Sequence, residues 1–579
     1  MKRTLFNQFG ITFKECQYAI DKRSDMIHSY FICTICNQIY ITKKSMEKHR
    51  CVSIMGNDIS YDKALKYLLI WISKKNVSFR ALGDIDFKGF LWTINKKYIL
   101  PSEKTIRKEI YRFSNIILSK IYQKLDSKKV SLLIDGVKRN NRRYQGQIIY
   151  TPEQLYFIGL TPCVSETKLE ISEIISNTAI KLSNNNCDLI AVCTDNFSSN
   201  IAALKGGRLS AQNLSYQNFI RFPCTCHTIN LAIKDIFEGK YKYIYYSVIL
   251  MINYFNQISK YDNHICNVPQ FHEVRWFSIY YCVCYIISHK QYLNEYFLSV
   301  FNYIQIQYNW LIIHSILHLL ESLILKLESD YSSIGDVFYN FKTTLNELIK
   351  INDTIPEDTE PNITKDIIDT LLFRFSKTVT LEMPILAFFM TGKGLVYANI
   401  KDDQYYLTAG TGIDALKNYA KNSSKLEKLV QFFKILLKYN NDTFLIDQDT
   451  TEDSVTFWKS VLEGGPLWRK VPEFLKNNPE YTGFEKKYAK FALKVLSIPC
   501  SERAVERVFS HLSDLLMSNK RNLSFHSINS ILIIRMNSIF LNQKGKNSYD
   551  FIKNDLEKLC NVDFEKHDPQ LEDDPLVYF

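Results

Sequence analysis

"CDLIAVCTDNFSSN", residues 187–200, is apolar from Leu189 to Cys193 and then stops on Thr194, Asp195 and a polar tail. A short continuous apolar run of this kind reads as a strand covered on both faces. Burying an unpaired carboxylate at its end would be costly. Upstream lies an amphipathic segment, "SETKLEISEIISNTAIKLS" (165–183), which opens with Ser165, a residue suited to cap a first helical turn. Three β-like runs precede it: "KVSLLIDGVK" (129–138), "RRYQGQIIYT" (142–151) and "QLYFIGLTPC" (154–163). The order β-β-β-α-β predicts an α/β fold with a mixed sheet.

Asp135 follows "SLLI" much as Asp195 follows "IAVCT". In open α/β sheets the carboxyl edge of the strands is where ligands bind. If the first and fourth strands are parallel neighbours, they lie about 4.8 Å apart and the two acids can share divalent cations. Asp135-Gly136 as a turn, and Asp195 as a helix N-cap for "FSSNIAAL", are the plainer readings. "IPCSERAVERVFSHLSDLL" (498–516) offers a third acid. Val505, Val508, Phe509, Leu512, Leu515 and Leu516 make one apolar stripe, with Glu502 and Glu506 one turn apart beside it. Periodicity does not choose between the two glutamates.

The 579 residues are 46% apolar and 14% aromatic, enough for packed cores, and a net charge of +12 favours a polyanionic partner. No signal-like start and no membrane span are expected, because the most apolar stretches are short or carry Asn, His and Glu. A soluble, intracellular chain follows, with its 14 cysteines as thiols or metal ligands. From about 230 to 480 the pattern is helical, with a break at "NDTIPEDTEPNITKD" (352–366).

Near the start, Cys33-x2-Cys36-x12-His49 has the spacing of a zinc finger. Cys51 is the candidate fourth ligand, although it stands only two residues beyond His49, where a helix would turn it away. Lys43, Lys44, Lys48 and Arg50 would meet phosphate.

Five motifs fall in one order: "IDG" (134–136), "CTDNFSSN" (193–200), "RFPCTCHTINLAIKD" (221–235), "VRWFS" (274–278) and "SERAVERVFSHLSDLLMSNKRNLS" (501–524). Together they resemble the hAT transposase superfamily over roughly residues 60–545. The resemblance implies an RNase H-like catalytic core interrupted by a large all-α insertion. It places Asp135, Asp195 and Glu506 on the family's three metal-binding acids, with Mg²⁺ or Mn²⁺ as cofactor. Cys224 and His227 match its Cys-x-x-His, near active site and DNA. Arg275 and Trp276 match an Arg-Trp pair whose tryptophan stacks on an exposed DNA base; a core aromatic is the rival reading, as are a buried thiol or half of a Zn²⁺ site with Cys226 for Cys224. The finger resembles the BED-type or two-Cys two-His fingers that such proteins carry.

The expected organisation is a zinc-finger-like module (1–58), a helical DNA-binding or oligomerisation segment (59–127), the first part of the core (128–234), the all-α insertion (235–484), the last part of the core with the dimerisation region (485–545) and a tail (546–579). The expected partners are transposon-end and target DNA and a second copy of the chain, in the nucleus. The expected activity is metal-dependent strand cleavage and strand transfer, with a non-catalytic DNA-binding regulator derived from such an enzyme as the alternative.

Overall fold

The computed structural model describes residues 61–94, 100–204, 220–262, 264–271, 278–329, 332–355, 362–378, 382–391, 424–438, 454–468, 471, 473–481, 483–517 and 523–542, and the backbone of three early strands. Those strands are β1 (Phe13–Ile20), β2 (Ile27–Cys33) and β3 (Ile39–Tyr40). Then come α1 (Tyr61–Lys75), α2 (Ile85–Ile94) and α3 (Glu103–Lys124). The α/β part is β4 (Lys129–Arg139), β5 (Arg142–Thr151), β6 (Gln154–Cys163), α4 (Lys168–Ser183), β7 (Asp188–Thr194), α5 (Ser198–Leu204) and β8 (Ile220–Pro223). A helical run follows: α6 (Thr225–Glu238), α7 (Lys242–Ile258), α8 (Ser278–Ser288), α9 (Glu295–Tyr308), α10 (Trp310–Leu327), α11 (Ile334–Asp353), α12 (Ile363–Thr378) and α13 (Glu382–Phe388). It continues through α14 (Ser424–Lys438), α15 (Ser454–Glu463), α16 (Glu473–Asn477), α17 (Phe484–Leu496), α18 (Arg503–Met517) and α19 (Phe525–Asn542).

The chain divides into two compact units, residues 1–120 with 514–579, and residues 121–513. In the first, β1, β2 and β3 form an antiparallel sheet in that order, and α1 packs on α19. There the buried Arg535 donates to Asn76 Oδ1 at 2.8 Å. Cys33 is the last residue of β2, while Cys36, His49 and Cys51 lie outside the described residues, as does the tail.

The second unit carries a mixed five-stranded sheet, order β6-β5-β4-β7-β8, so the chain is α/β as expected. β4, β5 and β6 are an antiparallel meander, and β7 and β8 join in parallel. Asn140 and Asn141, both at positive φ (48° and 61°), make the tight β4–β5 hairpin, a conformation that Asn tolerates well. β8 is a fifth strand that the sequence reading missed: four residues containing Arg and Pro carry no β signature. The cap of α4 also differs from expectation. Thr167, not Ser165, is the N-cap, because Thr167 and Glu170 form a reciprocal capping box, and Ser165 instead gives its N–H and hydroxyl to Glu170.

Of the described helices, α10 is long and apolar enough to cross a membrane, and half of it is buried against its neighbours α6, α8 and α11. It carries His314, His318 and the buried Glu321, which accepts from Tyr281, and these fit a packed core helix better than lipid. Further along, Trp458 is fully buried, donates from Nε1 to Met390 O at 2.7 Å and lies 5.4 Å from the Tyr488 ring. Phe432 packs on the same Tyr488 at 5.4 Å. Large rings of this kind supply most of the apolar burial available to short helices.

Candidate functional site

The site is built on the parallel pairing of β4 with β7. Leu132 pairs with Val192 and Leu133 with Cys193, and two residues further on each strand stand Asp135 and Asp195. The register therefore sets the two acids level at the end of the parallel ladder. β4 itself runs on to Arg139, paired only with β5, so Asp135-Gly136 is strand and not turn. Asp195 does the local work that its plainer reading assigned. Its Oδ1 accepts from Phe197 N (3.0 Å) and Asn200 Nδ2 (2.5 Å), ordering the start of α5. Arg221 of β8 braces the same turn through Asp195 O and Asn196 Oδ1, both at 3.3 Å.

Gly146 brings in the third element. It pairs with Asp135 across β4 and β5, and a methyl group there would lie 2.6 Å from Val505 Cγ1 and 3.0 Å from Phe509 Cε1. The bare glycine lets α18 seat its apolar stripe directly on the sheet. Val505, Val508, Phe509, Leu512 and Leu515 are all buried, as expected, and Leu516 is half-buried. Seated this way, α18 brings Glu506 into the electrostatic field of Asp135. Burial first, then Asp195 and Glu506, push the Asp135 carboxyl well above its usual range, against the N–H of Gly136 donated to it at 2.7 Å. Glu166, held at φ 52° and paired with Arg143, adds a weaker push.

His227 faces the same acids. Burial holds its imidazole below the ordinary range, while Asp195 and Glu506 pull the other way. Cys224 is buried, caps α6 by accepting from His227 N at 3.4 Å, and its thiol is pushed up by burial. Its own N–H meets Thr194 O (2.8 Å) and the Thr225 N–H meets Cys500 O (2.9 Å), so β7, α6 and the turn before α18 are stitched together. Arg275 and Trp276 lie outside the described residues.

Glu506 is engaged by Arg503, which also meets Glu328 at 3.4 Å. Among the described residues, no group of three or more His, Cys, Asp or Glu side chains is arranged to hold a metal ion, which includes any zinc set around Cys224 and Cys226. The donor chemistry does suit a hard divalent cation: all the ligands on offer are carboxylate oxygens, and one of them, Glu502 Oε2, is buried without a hydrogen-bond partner.

Residues 469–538 match the hAT family C-terminal dimerisation region. That stretch includes α17, α18 and most of α19, and it supports a homo-oligomer. No curated protein matches the chain. Sequence reasoning missed Gly146, whose signal was a lone glycine inside a strand-like run, and the bracing roles of Arg221 and Arg503, for which it held no signal.

Proposed function

We propose that the chain is a hAT-like DNA transposase with an RNase H-like core, in which Asp135, Asp195 and Glu506 hold Mg²⁺ or Mn²⁺ for DNA strand cleavage and strand transfer. The observation that carries this reading is the level pair of aspartates on neighbouring parallel strands, with the helix of Glu506 seated on the same sheet. The match over residues 469–538 supports the family. When bound, the cations supply an activated attacking oxygen and stabilise the leaving one. The chain's own part is to hold the carboxylates in register and to keep the His227 ring uncharged by burial, so that it can hydrogen-bond a phosphate oxygen. Arg275 is proposed to grip phosphate and Trp276 to stack on an unpaired base. Cys33, Cys36, His49 and Cys51 are proposed as ligands of Zn²⁺ in a finger that positions transposon-end DNA. The place of work is the nucleus.

The test uses the purified full chain, Mg²⁺ and labelled DNA carrying the terminal repeats that flank its gene. Asp135→Asn lowers cleavage by at least about 10³-fold, some 4 kcal/mol of transition-state stabilisation, and leaves DNA binding within about two-fold. Equal cleavage by variant and parent would sink the assignment. One observation favours a non-catalytic DNA-binding regulator instead, namely the engagement of Glu506 by Arg503. DNA bound but not cut by the parent protein would select that reading.

A further inference from the structure

Glu502 sits at the head of α18, one turn before Glu506, and is only 3% exposed. One side of its carboxyl meets the Cys224 thiol, and Oε2 has no hydrogen-bond partner. The groups whose charge it feels are Cys224, Asp135 and Asp195. A buried carboxyl oxygen without a partner is costly, and facing two aspartates makes it more so. A purely structural role would be met more cheaply by a neutral side chain, or by a partner for Oε2. Meanwhile Glu506, the acid that the family pattern selects, is drawn onto Arg503.

We infer that Glu502 is a fourth carboxylate ligand of the divalent-cation site, contributing its unpartnered Oε2 alongside Asp135 and Asp195. The inference rests on the proposed metal site. A cation there neutralises the mutual repulsion of the acids and gives Oε2 the partner it lacks. Glu506 then completes the set from one turn further on, when Arg503 yields it.

The probe is Mn²⁺ alone, titrated calorimetrically into the full chain without DNA, with the Mn²⁺-induced rise in Tm as a second readout. Asp135→Asn weakens Mn²⁺ binding at least about ten-fold. Glu502→Gln does the same, yet raises the Tm of the metal-free protein by removing a buried acid that faces like charges. Glu502→Cys tells a ligand from a neighbour: a thiolate in the first coordination sphere shifts preference from Mn²⁺ toward Cd²⁺ by at least about ten-fold, whereas a residue that merely orients others leaves the ratio unchanged. Should the cysteine variant not fold, Glu502→Asp takes its place, with Mn²⁺ binding partly restored relative to the glutamine variant. Parent-like Mn²⁺ binding and an unchanged metal ratio in the Glu502 variants, with binding lost in Asp135→Asn, overturn the inference and leave the metal site standing. Mn²⁺ binding that does not depend on Asp135 overturns both.

Discussion

Within residues 121–513, the carboxyl edge of the sheet and the ring cluster around Trp458 are built by opposite rules. Around Trp458, the polar atoms of the large rings are matched: its Nε1 reaches Met390 O and the Tyr488 hydroxyl reaches Met390 Sδ at 3.0 Å. Trp468 Nε1 is the exception. At the sheet edge, Gln145 Oε1, Arg221 Nε, Thr225 Oγ1 and Glu502 Oε2 are all buried without partners, next to acids that repel one another. A structure that satisfies one region and leaves the other short is holding polar groups ready for something outside the chain, at a cost to stability.

The sharpest way to break this contrast is to truncate the ring cluster. Trp458→Ala lowers stability by about 3–5 kcal/mol, read from denaturant unfolding, and affects cleavage only through the loss of folded protein. If stability hardly changes while cleavage collapses, the division between a stabilising cluster and a working edge is wrong. Gly146→Ala probes the edge from below. A methyl group pressing on Val505 and Phe509 costs about 1–3 kcal/mol and also lifts Glu506 away from Asp135, so cleavage measured on the folded fraction falls at least about ten-fold. Unchanged cleavage would show that the seating of α18 does not position the third acid.

The smallest effect belongs to a satisfied acid far from repulsion. Hydrogen bonds from Val164 N–H, then Thr167 and Ser165, hold the Glu170 carboxyl down at about 2, against an ordinary 4.5. Because its folded value is depressed, the stability it adds is complete above pH about 4.5 and is lost as the pH falls toward 2. Glu170→Gln flattens that acid limb and shifts Tm at neutral pH by at most about 2 °C. Melts at pH 5 and 2.5 check it.

Much of the edge was legible in the chain. Strand-like runs ending on Asp135 and Asp195 read as parallel neighbours with two acids at one end, and the pairing Leu133 to Cys193 bears this out. The stripe on α18 was legible too, because burial repeats with the helical period. β8 was not, since Ile220–Pro223 is too short to show a period. The cap of α4 was displaced by two residues, because Ser165 and Thr167 are chemically alike and only the backbone turn chooses between them.

Composition, period and motif spacing determined the α/β class, the order of the strands, the long helical interruption and the residue types able to bind a cation or a phosphate. Those are local properties of the chain, written in short windows. Only the tertiary structure decided that Gly146 admits α18, that Arg503 takes hold of Glu506 and that Glu502 is buried against the aspartates with one oxygen unpartnered. These depend on register and close packing between segments hundreds of residues apart, where a single methyl group or a one-residue slip changes which side chains meet.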